Sequence, residues 1–147
     1  MGWIDDIKGE TIGLDTAPLI YFMEEHSKYI EAVQIFFDAM AKGDFVVVTS
    51  TVTLLEVMVY PLRSNNRELA NEYRDILLHS QIETMEITNE VSEQAAKLRA
   101  IHDIRTPDAI QIGTALSANA SFFFTNDAHL PAIPDIDYLT LDSIIIK

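Results

Sequence analysis

Four acidic residues stand where a carboxylate needs explaining. Asp15 closes the run Thr11-Ile12-Gly13-Leu14, and Glu56 interrupts Val52-Thr53-Leu54-Leu55 and Val57-Met58-Val59-Tyr60. Asp108 follows Thr106-Pro107, and Asp127 ends Thr125-Asn126-Asp127 behind a run of phenylalanines. Carboxylates brought together repel one another and must be satisfied by protons or hard cations. Oxygen donors without imidazole or thiolate suit Mg²⁺ or Mn²⁺. Such ions activate water and stabilise charge on a phosphodiester undergoing in-line displacement, so the chemistry in view is metal-assisted hydrolysis.

Each acid also has a plainer explanation. Asp15 and Asp108 suit the first turn of a helix, where an acid stabilises by roughly 0.3–1 kcal/mol. Asp127 suits an Asx-type turn. Glu56 is harder to dismiss, because its neighbours three and four residues away in a helix are Val52, Thr53, Val59 and Tyr60. A carboxylate on an apolar face must pair with a cation or hold its proton; the plainer reading is a partly exposed glutamate, or one paired with an arginine such as Arg63. Glu24, Glu25, Glu68, Glu72, Asp75, Glu90 and Glu93 lie among polar neighbours and read as solvated surface.

The elements that must position these acids alternate between strand and helix. Thr11–Leu14 is a short strand, and Pro18 sits where a helix begins. Lys28 to Met40 carries Ile30, Val33, Phe36, Phe37 and Met40 at helical spacing, and Gly43 closes that helix. Phe45–Val48 is a buried parallel strand by its continuous apolar run. Ser50 or Thr51 caps a helix that Pro61 stops or kinks after Tyr60. A helix over Arg67–His79, a weaker strand over Ile82–Ile87 and a helix over Glu90–His102 come next. Pro107–Ala118 is a helix capped by Thr106, with the small-residue stretch Asp108-Ala109-Ile110-Gln111-Ile112-Gly113-Thr114-Ala115 suited to close packing on a sheet. Ser121–Phe124 and Tyr138–Leu141 are the last strands. Strands alternating with helices imply a mainly parallel sheet covered on both faces, with ligands at the strands' carboxyl ends.

With 147 residues, 48% of them hydrophobic, the chain fits one domain spanning 1–147 with a substantial core. It has no cysteine, which excludes thiolate metal sites and cysteine nucleophiles and is compatible with a reducing cytoplasm. No apolar run approaches the roughly 20 residues that span a bilayer, and the acidic start lacks a signal peptide's character. A soluble, cytoplasmic protein with no membrane association is expected. The net charge of −13 runs against a polyanionic partner, unless cations neutralise some acids and the few bases cluster.

Taken together, the segments Leu14-Asp15-Thr16, Glu56 in the helix after the second strand, Thr106-Pro107-Asp108-Ala109 and Phe124-Thr125-Asn126-Asp127 resemble the PIN-domain family. The likeness is particularly to the VapC-like toxins of toxin–antitoxin pairs, and it covers nearly the whole chain. It implies a three-layer α/β/α sandwich, Mg²⁺ or Mn²⁺ as cofactor, and endonucleolytic cleavage of RNA. It further implies that Asp15 and Asp108 hold the principal metal, with Glu56 completing the site partly through water. Asp127 would bind a second ion or position the attacking water, with Thr125 and Asn126 orienting it. An antitoxin protein is the implied partner.

Two other enzyme classes fail on single residues. A phosphoacceptor receiver domain needs a lysine near the last strand, and none lies between Lys97 and Lys147. A haloacid-dehalogenase-like phosphatase needs a second acid two residues after the first, where this chain has Ala17. The remaining alternative is a catalytically weak PIN-like module for protein or RNA interaction. His26, His79, His102 and His129 show no ligand spacing, although His129 lies two residues from Asp127. For RNA phosphates the candidates are Arg63, Arg67 and Arg74 in one segment, and Lys97, Arg99 and Arg105 in another. The helix from Val52 to Tyr60 is apolar on nearly every side, which predicts a homodimer with Leu55, Met58 or Val59 facing outward.

Overall fold

The computed structural model describes residues 2–145. In chain order its elements are α1 (Trp3–Asp6), β1 (Thr11–Leu14), α2 (Thr16–Met23), α3 (Ile30–Ala41), β2 (Val46–Ser50), α4 (Thr51–Arg63) and α5 (Arg67–Leu78). These are followed by β3 (Glu83–Met85), α6 (Asn89–Ile101), α7 (Thr106–Ser117), β4 (Phe122–Thr125), β5 (Asp137–Thr140) and α8 (Leu141–Ile145). The five strands form one sheet in the order β3-β2-β1-β4-β5, and every pairing is parallel. The expected "mainly parallel" sheet is therefore parallel throughout.

Alternation along the strands sorts the apolar side chains into two cores. Ile12, Leu14, Val47 and Phe124 pack with Leu19, Val33, Phe36, Phe37 and Tyr73 on one face. Phe123 packs with Ala95, Leu98, Ala109, Ile112 and Ala115 on the other. Helices α2 to α5 thus cover one side and α6 and α7 the other, giving three α/β/α layers.

One glycine sets how closely the second layer approaches. A Cβ on Gly13 of β1 would lie 2.6 Å from the Ala115 Cβ and 3.0 Å from the Phe123 ring. With no Cβ on the strand and a small residue on the helix, α7 lies directly on β1, and its first turn stands beside the strand's carboxyl end. Gly43, at φ 83°, takes the left-handed turn that follows α3, as the closing glycine should.

Several boundaries differ from expectation. Helix α4 runs through Pro61 to Arg63, because a proline in the final turn removes a single donor near the helix end. Ser64 there donates from both its amide and its hydroxyl to the Tyr60 carbonyl. Thr106 is the first residue of α7 and not its cap; Arg105 holds the cap position, and its side chain makes no capping hydrogen bond. Met58 is buried, whereas Leu55 is 66% exposed and Val59, Tyr60 and Leu62 also face outward. The short helices α1 and α8 carry too little periodicity to show in the sequence.

Candidate active site

The strand order turns back at β1: the chain winds outward to β2 and β3, then returns to add β4 and β5 on the other side. Such a switch point opens a crevice beyond the carboxyl ends of the two central strands. Asp15 follows β1 and Asp127 lies two residues beyond β4. Asp108 enters from the first turn of α7, and Glu56 from the second turn of α4. All four acids line one cleft of about 440 Å³, together with Thr16, Ala17, Ile20, Tyr21, Arg105 and Asn126. The sequence-derived quartet is brought together.

Asp15 is the most firmly held of the four. It caps α2, one carboxylate oxygen accepting the Thr16 amide at 2.8 Å and the other the Thr125 hydroxyl at 2.7 Å. Its own backbone N–H donates to the Phe124 carbonyl at 2.9 Å, fixing it to β4. Burial pushes the Asp15 carboxyl above the ordinary carboxylate range; hydrogen bonds from Thr125 and Thr16 oppose that shift, and the nearby charges of Asp108 and Glu56 add to it. Thr125 is itself fully buried, and its hydroxyl also accepts the Asp127 amide at 3.1 Å. One threonine thereby sets the spacing between two of the acids.

Glu56 is exposed, which corrects the expectation of apolar surroundings. The apolar residues beside it on α4 point to solvent, so local sequence gave a false impression of burial. It accepts the Thr16 hydroxyl at 2.5 Å, which turns it toward Asp15. Arg63 forms no ion pair with it among the described contacts.

Asp108 accepts from Arg105 Nε at 3.1 Å; Arg105 is 77% exposed and the acid 15%. Asp127 accepts the His129 amide at 2.8 Å, with the His129 ring 3.7 Å away. Burial and the charge of Asp127 together push the Tyr138 phenol up to about 12. Asn126 accepts the Asp142 amide at 3.2 Å, so its side chain anchors α8 while it lines the cleft.

Of the bases named from sequence, Arg105 stands in the cleft, and Arg99 joins it in an adjoining hollow that also includes Asp108, Asp127 and His129. Arg67 and Arg74 line a different hollow at the α4–α5 corner, and Arg63 lines neither.

Beneath the cleft lies a group of buried polar residues that sequence reasoning did not single out. Thr49, Ser50, Thr53 and Gln111 are all buried, from β2, α4 and α7. Their signal was polarity inside apolar runs, as with Gln111 between Ile110 and Ile112.

In donor chemistry the cleft fits a hard divalent cation: carboxylates and hydroxyls, with no thiol. Among the described residues no three acids or histidines stand close enough to enclose an ion as they are. Arg105 meanwhile supplies positive charge to Asp108, one of the acids that would have to turn toward an ion.

Among solved structures the fold is similar to VapBC2 from Rickettsia felis, bound to a DNA fragment from its promoter. The TM-score is 0.72 at 19% identity, covering 88% of this chain and 98% of that one. A toxin-antitoxin complex from Klebsiella pneumoniae aligns with a TM-score of 0.66 at 21% identity, over 89% of this chain and 97% of that one. VapC20 from Mycobacterium tuberculosis, described as a sarcin-ricin loop cleaving toxin, aligns at 0.67 and 17% identity, over 81% and 91%. No curated protein matches the sequence. The family model of the PIN domain matches residues 12–136, from β1 to the loop before β5, and the chain belongs to the PIN domain family.

Proposed function

We propose that this protein is an Mg²⁺- or Mn²⁺-dependent endoribonuclease, the toxin of a toxin–antitoxin pair. The observation that carries the reading is the convergence of Asp15, Glu56, Asp108 and Asp127 on one cleft at the sheet's switch point. Asp15 and Asp108 would hold the principal cation, Glu56 would complete its site partly through water, and Asp127 would take a second ion or orient the attacking water. When bound, the cation supplies an activated water and a counter-charge for the phosphodiester. The chain's own contribution is placement. Thr16 and Thr125 fix Asp15, Thr125 spaces Asp127 from it, and the exposed Arg105 guanidinium reaches a phosphate beside the acids.

A substrate bound through so few bases should lose affinity only modestly with salt. The toxin reading draws support from the Rickettsia and Klebsiella relatives, both of which are toxin–antitoxin structures. The exposed stripe of Leu55, Val59 and Leu62 on α4 is the surface for a homodimer, since α5 packs against α4 and still leaves these residues open. No helix among the described residues is long and apolar enough to cross a membrane, and the cytoplasm is where RNA would be met.

A second reading, a catalytically weak interaction module, is favoured by the Arg105–Asp108 pair and by the net charge of −13. Incubating purified protein with RNA and Mn²⁺, with and without EDTA, and sequencing the product ends separates the two. Internal cuts at defined positions that EDTA abolishes are expected. Uncut RNA at every divalent ion tried would leave the module.

A further inference from the structure

Gln111 projects from α7 into the space between β2 and α4 and is 3% exposed. Its carbonyl oxygen accepts the Ser50 hydroxyl at 2.7 Å. Its amide nitrogen donates to the Thr53 hydroxyl at 2.6 Å and to the Thr16 hydroxyl at 3.3 Å. The Thr49 hydroxyl donates to the Leu14 carbonyl at 2.8 Å. Its single proton is thereby committed, so in the 2.8 Å contact between Thr49 and Thr53 the donor is Thr53.

The rest of the proton order follows. Thr53 gives its proton to Thr49 and accepts from Gln111. Thr16 accepts from the second Gln111 N–H, leaving its own proton for an acceptor. The Thr53 hydroxyl lies at 3.5 Å and has already accepted from Gln111, while a Glu56 carboxylate oxygen lies at 2.5 Å. The proton goes to Glu56. A chain of hydrogen bonds thus runs from the interior to a carboxylate at the cleft, and Gln111 fixes its direction. No buried side-chain polar atom among the described residues is left without a partner.

We propose that Gln111 is a positioning residue, whose buried amide directs the Thr16 hydroxyl toward Glu56 and so holds that exposed carboxylate at the cleft. The proposal rests on the cleft being the nuclease site, and adds a residue that touches neither RNA nor metal. Glu56 stands on the solvent-facing side of α4, where a glutamate side chain would otherwise sample several rotamers. Partners of metal ligands of this kind typically cost 10–100-fold in affinity or activity when removed.

The test compares Gln111→Leu, Thr16→Val and Thr16→Ser, each alone and in a Glu56→Ala background. In the metal-free protein the carboxylate carbon resonance of Glu56 should move alike in Gln111→Leu and Thr16→Val, and return in Thr16→Ser. Mn²⁺ affinity and kcat for RNA should each fall about tenfold in the first two variants, with KM for RNA within about twofold. In the Glu56→Ala background, neither substitution should add to the loss. An unmoved Glu56 resonance, or a Gln111→Leu loss that persists in full without Glu56, overturns the proposal. Should Gln111→Leu fail to fold, with the Ser50 hydroxyl left without its acceptor, the partly exposed Thr16 pair decides: Thr16→Ser behaving like Thr16→Val overturns it. Wild-type protein that neither binds Mn²⁺ nor cuts RNA would remove the nuclease reading, while the metal-free resonance would still decide the positioning role.

Discussion

The two walls of the cleft are built in opposite ways. On one side stand Asp15 and Glu56, linked through Thr16 and supported by Thr49, Thr53, Gln111 and Thr125, all of them buried. Those supports come from β2, α4, α7 and β4, so interior packing fixes that wall. On the other side, Asp108 bonds Arg105 three residues away, and Asp127 bonds His129 two residues away. Those bonds are local, at the surface, and cheap to exchange. The difference teaches a division of labour: one wall is held in place by the interior, and the other is free to rearrange, as the proposed metal site would require.

The comparison predicts unequal responses to substitution. The largest concerns activity. Asp15→Asn, on the rigid wall, should lower RNA cleavage about a thousandfold or more, since in the proposed reaction a metal-activated water would take several kcal/mol off the barrier. Asp108→Asn should do the same, while Asp127→Asn should retain more activity than either. Single-turnover cleavage rates would show the order, and Asp127→Asn as the most damaged variant would break the comparison.

Next in size is a change in stability beneath the rigid wall. Gly13→Ala forces a methyl to 2.6 Å from the Ala115 Cβ, a contact that requires α7 to shift. Overpacking of this kind costs about 1–3 kcal/mol, or roughly 3–10 °C in melting temperature for a chain of this length. An unchanged melting curve would show that α7 does not need its close approach to β1.

A smaller effect follows from Asp15's burial. Its carboxyl is raised above the usual range, so the folded state binds a proton more readily than the unfolded chain. The contribution to stability is fully present below the ordinary value of 3.8 and is lost as pH rises through the folded value. At neutral pH the metal-free protein therefore bears a charge it would fold better without. Asp15→Asn, which keeps an acceptor for the Thr16 amide, should melt a few degrees higher, about what 1 kcal/mol gives at this size. Melting curves of both proteins across pH should converge on acidification, and a gap that widened at low pH would contradict the assignment.

The smallest effect lies on the loose wall. Arg105→Ala should leave stability within about 0.5 kcal/mol, because its ion pair is exposed. It should raise KM for RNA, and the slope of log affinity against log salt should fall by about 1, as for one lost phosphate contact. A change in melting temperature as large as that of Gly13→Ala would mean that this wall, too, is structural.

Much of this architecture was legible in the sequence, because the acids sit at element boundaries. Asp15 and Asp127 follow runs whose apolar, β-branched and aromatic character marks buried strands, and Pro107 marks the start of α7. What stayed hidden were contacts between distant residues. Gln111 meets Thr16 across 95 positions and Thr53 across 58, and local periodicity carries no information on such pairings. Glu56 was misjudged for the same reason. Apolar neighbours one helical turn away do not reveal whether another element covers that face, and here Val59 and Tyr60 are exposed. Pro61 likewise signalled a stop that helix α4 passes by two residues.

The most direct test of the central claim is calorimetric titration of Mn²⁺ into wild type, Asp15→Asn and Asp127→Asn, with RNA cleavage measured on the same samples. Saturable binding by the wild type, lost in Asp15→Asn together with cleavage and only weakened in Asp127→Asn, is the predicted result. RNA cleavage by Asp15→Asn at the wild-type rate, or Mn²⁺ binding indifferent to Asp15, would contradict a metal-dependent site founded on the rigid wall.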